Sequence, residues 1–242
     1  MTEMALGSKI EAAGRLLAAI AEEYRPAAFA TSLSAEDMVL TDLILTRRHA
    51  IEIFVLDTGR LHGDTLDMFG RIERRYGYDV RVVQPDPAAV EDYVTRFGRD
   101  AFYGSVELRK RCCAIRKTEP LARALAVKRA WITGLRRAQS ADRARVLIEE
   151  WDATHGLAKF NPLAYWSDAE VWGYLHANEV PVNPLYEQGY RSIGCAPCSH
   201  PLLPGEDPRA GRWWWENDSQ RECGLHVAPD GRLVRAKATE TA

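Results

Sequence analysis

The chain has 242 residues, 46% hydrophobic and 27% charged, with a formal net charge of -2. That is enough for one large α/β domain with a substantial core, and the near-neutral balance disfavours a general nucleic-acid surface. No apolar run approaches the ~20 residues of a membrane helix, and Met1 to Ile10 lacks the basic-then-apolar pattern of an export signal, so a cytoplasmic protein is expected.

Lys9 to Tyr24 reads as an amphipathic packing helix, with Ile10, Leu16, Leu17 and Ile20 on one side. Ala27-Ala28-Phe29-Ala30-Thr31 fits a buried parallel strand. It runs into Ser32-Leu33-Ser34-Ala35-Glu36-Asp37 and a helical pattern from Met38 to Arg47. A strand, a polar loop and a helix N-terminus form an anion site, where backbone N–H groups and the hydroxyls of Ser32 and Ser34 can face a phosphate. Taken alone, Ser34 reads first as a helix cap.

Ile51 to Leu56 is a second buried strand, with Asp57-Thr58-Gly59 at its carboxyl end, the edge where open α/β sheets place ligands. Gly59 permits a sharp turn or a close backbone approach. The simpler reading is a βα turn capped by Thr58 or Asp64. His62 to Tyr76 reads as a helix, Val80 to Val83 as a third strand and Ala88 to Phe97 as a short helix. This alternation predicts a doubly wound, mainly parallel sheet.

Phe102 to Ala126 carries Cys112-Cys113 inside the densest positive run of the chain, formed by Arg109, Lys110, Arg111, Arg116 and Lys117. A basic run is usually a solvated helix face, but two thiols in its middle weaken that reading. Ala130 to Gly134 is a fourth strand, and Arg136-Arg137 behind it suit phosphate or sulfate through forked donors. A surface loop explains such a pair equally well. Val146 to Ile148 is read as a strand and Phe160 to Leu163 as a turn. Ser167 and Glu170 form a capping box that opens a helix to Asn178, with Trp172 and Leu175 assigned to the core. A loop-rich region then leads to Gly194-Cys195-Ala196-Pro197-Cys198. The adjacent Trp213, Trp214 and Trp215 cannot all face one way. Residues 1–205 are taken as a nucleotide-binding domain and 206–242 as a C-terminal segment.

Cys195 and Cys198, with Cys112 and Cys113, offer four thiolates to a soft metal centre, and on ligand count zinc suits the set as well as iron does. An odd cysteine total and no export signal argue against a disulfide framework. Cys223, in Glu222-Cys223-Gly224-Leu225-His226, is left over for chemistry. Its reactive form is the thiolate, which needs a positive neighbourhood, and Arg209, Arg212 and His226 are the nearby candidates. No sixth cysteine exists to resolve an intermediate on Cys223, and no redox domain follows it before Ala242. An external thiol reductant is therefore expected.

Taken together, Ser32-Leu33-Ser34-Ala35-Glu36-Asp37, Leu56-Asp57-Thr58-Gly59, Lys110-Arg111-Cys112-Cys113, Thr133-Gly134-Leu135-Arg136-Arg137, the Cys-x-x-Cys loop and Glu222 to His226 are a specific combination. From Phe29 to His226 the chain resembles the assimilatory adenylyl-sulfate reductases of the iron–sulfur type. The resemblance implies an adenine-nucleotide α-hydrolase-like fold and reduction of adenosine 5′-phosphosulfate to sulfite and AMP. It implies one [4Fe-4S] cluster on the four paired cysteines, with Lys117 beside it. Cys223 would form an S-sulfocysteine that thioredoxin or a similar dithiol discharges. Substrate contacts would come from Ser32, Ser34, Glu36, Asp57, Thr58, Gly59, Arg136, Arg209, Arg212 and His226. No nucleic-acid or membrane partner is expected, and homo-oligomerisation is left open. Leu33 and Ser34 stand where many relatives have Phe and Gly. The alternatives are a 3′-phosphoadenylyl-sulfate reductase, a zinc-stabilised RNA-modifying protein of the pyrophosphatase fold, and a non-catalytic metal-binding module, which would not need Cys223.

Overall fold

The computed structural model describes residues 6–140 and 143–216. Five strands run parallel: β1 (Ala27–Thr31), β2 (Ile51–Leu56), β3 (Arg81–Val83), β4 (Ala130–Ile132) and β6 (Leu157–Phe160). β5 (Glu149–Asp152) pairs antiparallel with β6 at one edge, and the order across the sheet is β3-β2-β1-β4-β6-β5. The expected mainly parallel, doubly wound sheet is therefore observed.

Successive strand residues face opposite sides of the sheet. Ala27, Phe29, Ile51, Ile53, Val55, Ala130 and Ile132 enter the larger core, which also takes in α1 (Leu6–Glu23), α2 (Ala35–Thr46), α3 (Gly63–Tyr76) and α7 (Asp168–Ala177). Ala28, Phe54 and Trp131 face the other way, against Leu121, Ala124 and Leu125 of α6 (Glu119–Leu125). The sheet is covered on both faces, which is why its strands read as continuous apolar runs.

Local signals place the helix ends. Asp86 caps α4 (Pro87–Phe97) by accepting from the Ala88 N–H at 3.1 Å, and the Ser167–Glu170 capping box opens α7 as expected. Ser105 caps α5 (Val106–Cys113), its hydroxyl accepting from the Leu108 N–H at 3.1 Å. A π turn over Ala114–Thr118 joins α5 to α6 and closes with the Glu119 N–H on the Ala114 carbonyl. Pro120 has no N–H to donate, and the wider turn lets the helix continue past it.

Two readings of the sequence are corrected. Val146 to Ile148 is not a strand: β5 begins one residue later, and Leu147 and Ile148 are exposed, their carbonyls accepting from Asn161. The strand beside it, β6, ends on Phe160, where a turn was expected. Lys159 hides β6 from an apolar pattern. It is buried because Glu150 pairs with it at 2.9 Å and the Trp131 ring lies 5.5 Å away.

One buried polar group ties three helices together. Asp42 on α2 accepts from the Tyr76 hydroxyl at 2.9 Å and the Tyr174 hydroxyl at 2.6 Å. Burial and the Asp42 charge hold both tyrosine hydroxyls well above their ordinary pKa. Tyr174→Phe leaves one oxygen of a buried carboxylate without its donor. The variant is expected to lose about 1–3 kcal/mol of stability in urea unfolding. An unchanged unfolding midpoint contradicts this role for Asp42.

Candidate active site

A cleft of about 720 Å³ opens beyond the carboxyl ends of β1 and β4, lined by Thr31, Ser32, Thr133 and Gly134 among others. Strand order reverses there, the place where open α/β sheets bind ligands, and the volume suits a nucleotide. Leu33 has φ 61° and a fully buried side chain, so it acts as a plug that throws Ser32 and Ser34 toward the cleft. Their hydroxyls lie 2.8 Å apart. Ser34 occupies the cap position of α2 but makes no capping bond, so the cap reading is corrected. The Ala35 N–H instead donates to the Tyr186 hydroxyl at 2.9 Å.

Behind the serines lies Asp37, which accepts from the Ser32 N–H at 2.5 Å and the Ser32 hydroxyl at 2.7 Å. Burial pushes its carboxyl up to about 6 in spite of these two bonds. Gly134 makes room for it, since a Cβ at that position would sit 2.1 Å from Asp37 Oδ1.

The cations divide by their partners. Arg136 lines the cleft, but its guanidinium donates to Glu36 at 2.7 and 3.1 Å, to the Trp166 carbonyl at 3.0 Å, and to Asp168. Arg137 turns away, donating to the Val146 carbonyl and stacking on Tyr165. Arg209 and Arg212 both line the cleft. Arg212 is buried, packs 4.8 Å from the Trp213 ring centroid, and keeps its Nε without a hydrogen-bond partner among the described residues. A buried guanidinium with a donor to spare is suited to an anion. Arg143 and Arg191 also line the cleft and were missed in the sequence. Each lies in an irregular polar loop, where an arginine carries no signal.

Next to the cleft, Cys112, Cys113, Cys195 and Cys198 line one small cavity together with Arg60, Arg109, Arg116 and Lys117. Lys117 borders both cavities. Of the Asp57-Thr58-Gly59 loop, only Thr58 reaches the cleft, and its Oγ1 lies 3.2 Å from Cys195 Sγ. Asp57 turns aside to the Gly59 N–H and to Gln84. The Cys-x-x-Cys loop docks here through the Ala196 N–H on the Arg60 carbonyl at 2.7 Å, and the Tyr103 hydroxyl holds the Pro197 carbonyl at 2.9 Å. Gly194 clears space for Arg212, whose guanidinium a Cβ would meet at 2.4 Å.

Burial raises the Cys112 thiol, and it pushes Cys198 up to about 12, with the Cys195 charge adding to it. One buried and three half-buried thiols, ringed by arginine and lysine, are a donor set in which a metal would replace the protons. Yet no three ligating side chains among the described residues converge on the position of a single ion. Zinc needs its sulfurs at about 2.3 Å from one point. The four thiols line one small cavity and so offer a shared donor set to a metal centre or cluster.

The tryptophans divide as their adjacency requires. Trp213 is buried between Arg109, at 4.6 Å, and Arg212, Trp214 is exposed, and Trp215 lies 4.4 Å from the Tyr103 ring. Trp172, assigned to the core, packs on it and also borders the cleft. Glu216, which carried no sequence signal, is buried and takes a bidentate pair from Arg109 at 2.7 and 2.8 Å. Cys223 and His226 lie outside the described residues.

The Asp37 carboxyl gives a test by pH. In the folded chain it keeps its proton to about pH 6, against an unfolded value of 3.8. Between those values the folded state binds more protons, so this group removes stability as pH rises through that window. From about pH 4 to about pH 7 the parent is expected to lose about 2–3 kcal/mol more than Asp37→Asn in urea unfolding. Identical pH profiles contradict the shift.

Residues 26–201 match the family described as the phosphoadenosine phosphosulfate reductase domain. A protein of Burkholderia cepacia named adenosine 5′-phosphosulfate reductase is 55% identical over 222 residues, spanning 92% of this chain and 89% of that one. The fold is similar to a phosphoadenylyl-sulfate reductase of Candida auris in a phosphate complex, with TM-score 0.66, 22% identity, and 81% of this chain and 96% of that one covered. It is also similar to an FMN adenylyltransferase of Candida glabrata complexed with FAD and pyrophosphate, with TM-score 0.56, 14% identity, and 100% and 80% covered. These two likenesses show the fold, a mainly parallel sheet covered by helices on both faces. On the match across most of its length, the chain belongs to the phosphoadenosine phosphosulfate reductase family, beside members named adenosine 5′-phosphosulfate reductase.

Proposed function

We propose that the chain reduces adenosine 5′-phosphosulfate to sulfite and AMP in assimilatory sulfate reduction, with thioredoxin or a similar dithiol as the electron donor. The observation that carries this reading is the shared wall. A nucleotide-sized cleft and a four-thiol cavity meet at Lys117 and Thr58, with Arg212 buried beside them. The relatives' name supplies the substrate.

In this reading the adenosine lies over the ends of β1 and β4. Ser32, Ser34 and Thr58 face the nucleotide, and Lys117, Arg143, Arg209 and Arg212 offset the charge of the phosphosulfate. The Cys223 thiolate attacks the sulfuryl sulfur. A sulfur–sulfur bond forms, the sulfur–oxygen bond to the phosphate breaks, and AMP leaves with the electron pair. A dithiol then attacks Cys223 Sγ and sulfite departs. Its second thiol resolves the mixed disulfide, so the dithiol is oxidised and the sulfuryl sulfur gains two electrons. Cys112, Cys113, Cys195 and Cys198 would hold the [4Fe-4S] cluster. When bound, the cluster supplies fixed negative charge and rigidity at this wall rather than electrons. Cys223 is seven residues beyond Glu216, a span of at most about 25 Å when extended. The Arg109–Glu216 pair thus anchors the last described residue beside the thiol cavity, within that reach of Cys223. His226 is proposed with it as part of the positive surroundings of that thiolate, and the work is taken to be done in the cytoplasm.

The test is sulfite release with thioredoxin supplied, comparing adenosine 5′-phosphosulfate with its 3′-phosphorylated form. The purified protein is expected to be brown, to favour the unphosphorylated substrate, and to be inhibited by AMP. Cys223→Ser should keep the colour and release no sulfite. Sulfite release by that variant, or a colourless and active parent, contradicts the assignment.

A further inference from the structure

Two helix N-termini open on the cleft, those of α2 and α7, and each carries a cleft-lining carboxylate in its first turn, Glu36 and Asp168. The unpaired N–H groups of a helix start attract an anion, and a carboxylate in the same turn cancels that attraction. Arg136 lies between the two acids. Its Nε and Nη2 donate to Glu36 Oε1 at 3.1 and 2.7 Å, Nη2 also donates to Asp168, and Nη1 donates to the Trp166 carbonyl at 3.0 Å. Gln139 adds a donor to the same Glu36 oxygen at 2.9 Å. The Arg136 side chain is 4% exposed, and its guanidinium donates to protein on three sides. Asp37 and Arg143 also face this wall: burial raises the Asp37 carboxyl, the two Ser32 bonds oppose that rise, the Glu36 charge adds to it and the Arg143 charge works against it.

We propose that Arg136 is a positioning residue rather than a substrate ligand: it neutralises Glu36 and Asp168, so that the starts of α2 and α7 can receive an anionic nucleotide. The proposal rests on the nucleotide reading of the cleft given above. It also explains why a strand-end arginine pair, suited by sequence to bind an anion, sends one member to carboxylates and the other to the surface.

The test is calorimetric titration of AMP into the full chain, as purified, at low and high salt. Glu36→Gln and Asp168→Asn keep Arg136 and remove one negative charge. Each should tighten AMP binding by about two- to fivefold at low salt, and by less at high salt. Arg136→Met should weaken it by about tenfold, and Arg136→Met/Glu36→Gln should recover most of that loss. A folded double variant as weak as Arg136→Met marks Arg136 as a direct ligand and overturns the proposal. So does unchanged or weakened binding in both carboxylate variants, an arm that stands whether or not Arg136→Met folds. Absence of AMP binding by the parent chain is a separate failure, because it removes the nucleotide reading itself and the proposal with it.

Discussion

The contact between Thr58 and Cys195 joins the two halves of the site. Thr58 sits at the end of β2, where the sheet presents its loops to ligands, and Cys195 opens the Cys-x-x-Cys loop. Arg116 comes from the π turn after the cysteine pair and donates to the Thr58 carbonyl at 2.7 Å, so α5 and α6 are held to the same loop. Gly59 has φ 67°, a conformation open to glycine at little cost, and it lets the chain turn beneath that guanidinium. The cleft and the thiol cavity thereby meet at Thr58, and Lys117 lines both.

A second buried interaction fixes the approach of the C-terminal segment. Arg109 and Glu216 have side chains 1% and 4% exposed. Such a pair gives modest net stability, because desolvation offsets much of the attraction, but removing one partner costs about 3–5 kcal/mol. Its effect is one of register. Trp213 packs against both Arg109 and Arg212, so the residues that carry Glu216 to Arg109 also hold Arg212 at the cleft wall. The same packing that buries an indole therefore places a cation in the wall of the cleft.

The fold was legible wherever local chemistry and burial agree. β1 and β2 were placed to the residue because strands covered on both faces are continuous apolar runs, and α7 because its capping box is a local device. Lys159 defeated the pattern at β6, since its burial depends on Glu150 across the hairpin. In the site, the four paired cysteines were visible as types and spacings, and the structure brings them to one cavity. Arg143 was not visible, because an arginine in a loop has no periodicity and only the fold turns it inward. Arg136 shows the converse. Its sequence position is that of an anion ligand, and its partners Glu36 and Asp168 lie 100 and 32 residues away, beyond any local pattern.

The most direct measurement is a single-turnover mass spectrum of the chain incubated with adenosine 5′-phosphosulfate and no dithiol. A mechanism through Cys223 predicts a gain of one SO₃ group on the peptide that contains Cys223, one AMP released per chain, and loss of the adduct when thioredoxin is added. Sulfite formed without any adduct, or an adduct carried by another residue, contradicts it.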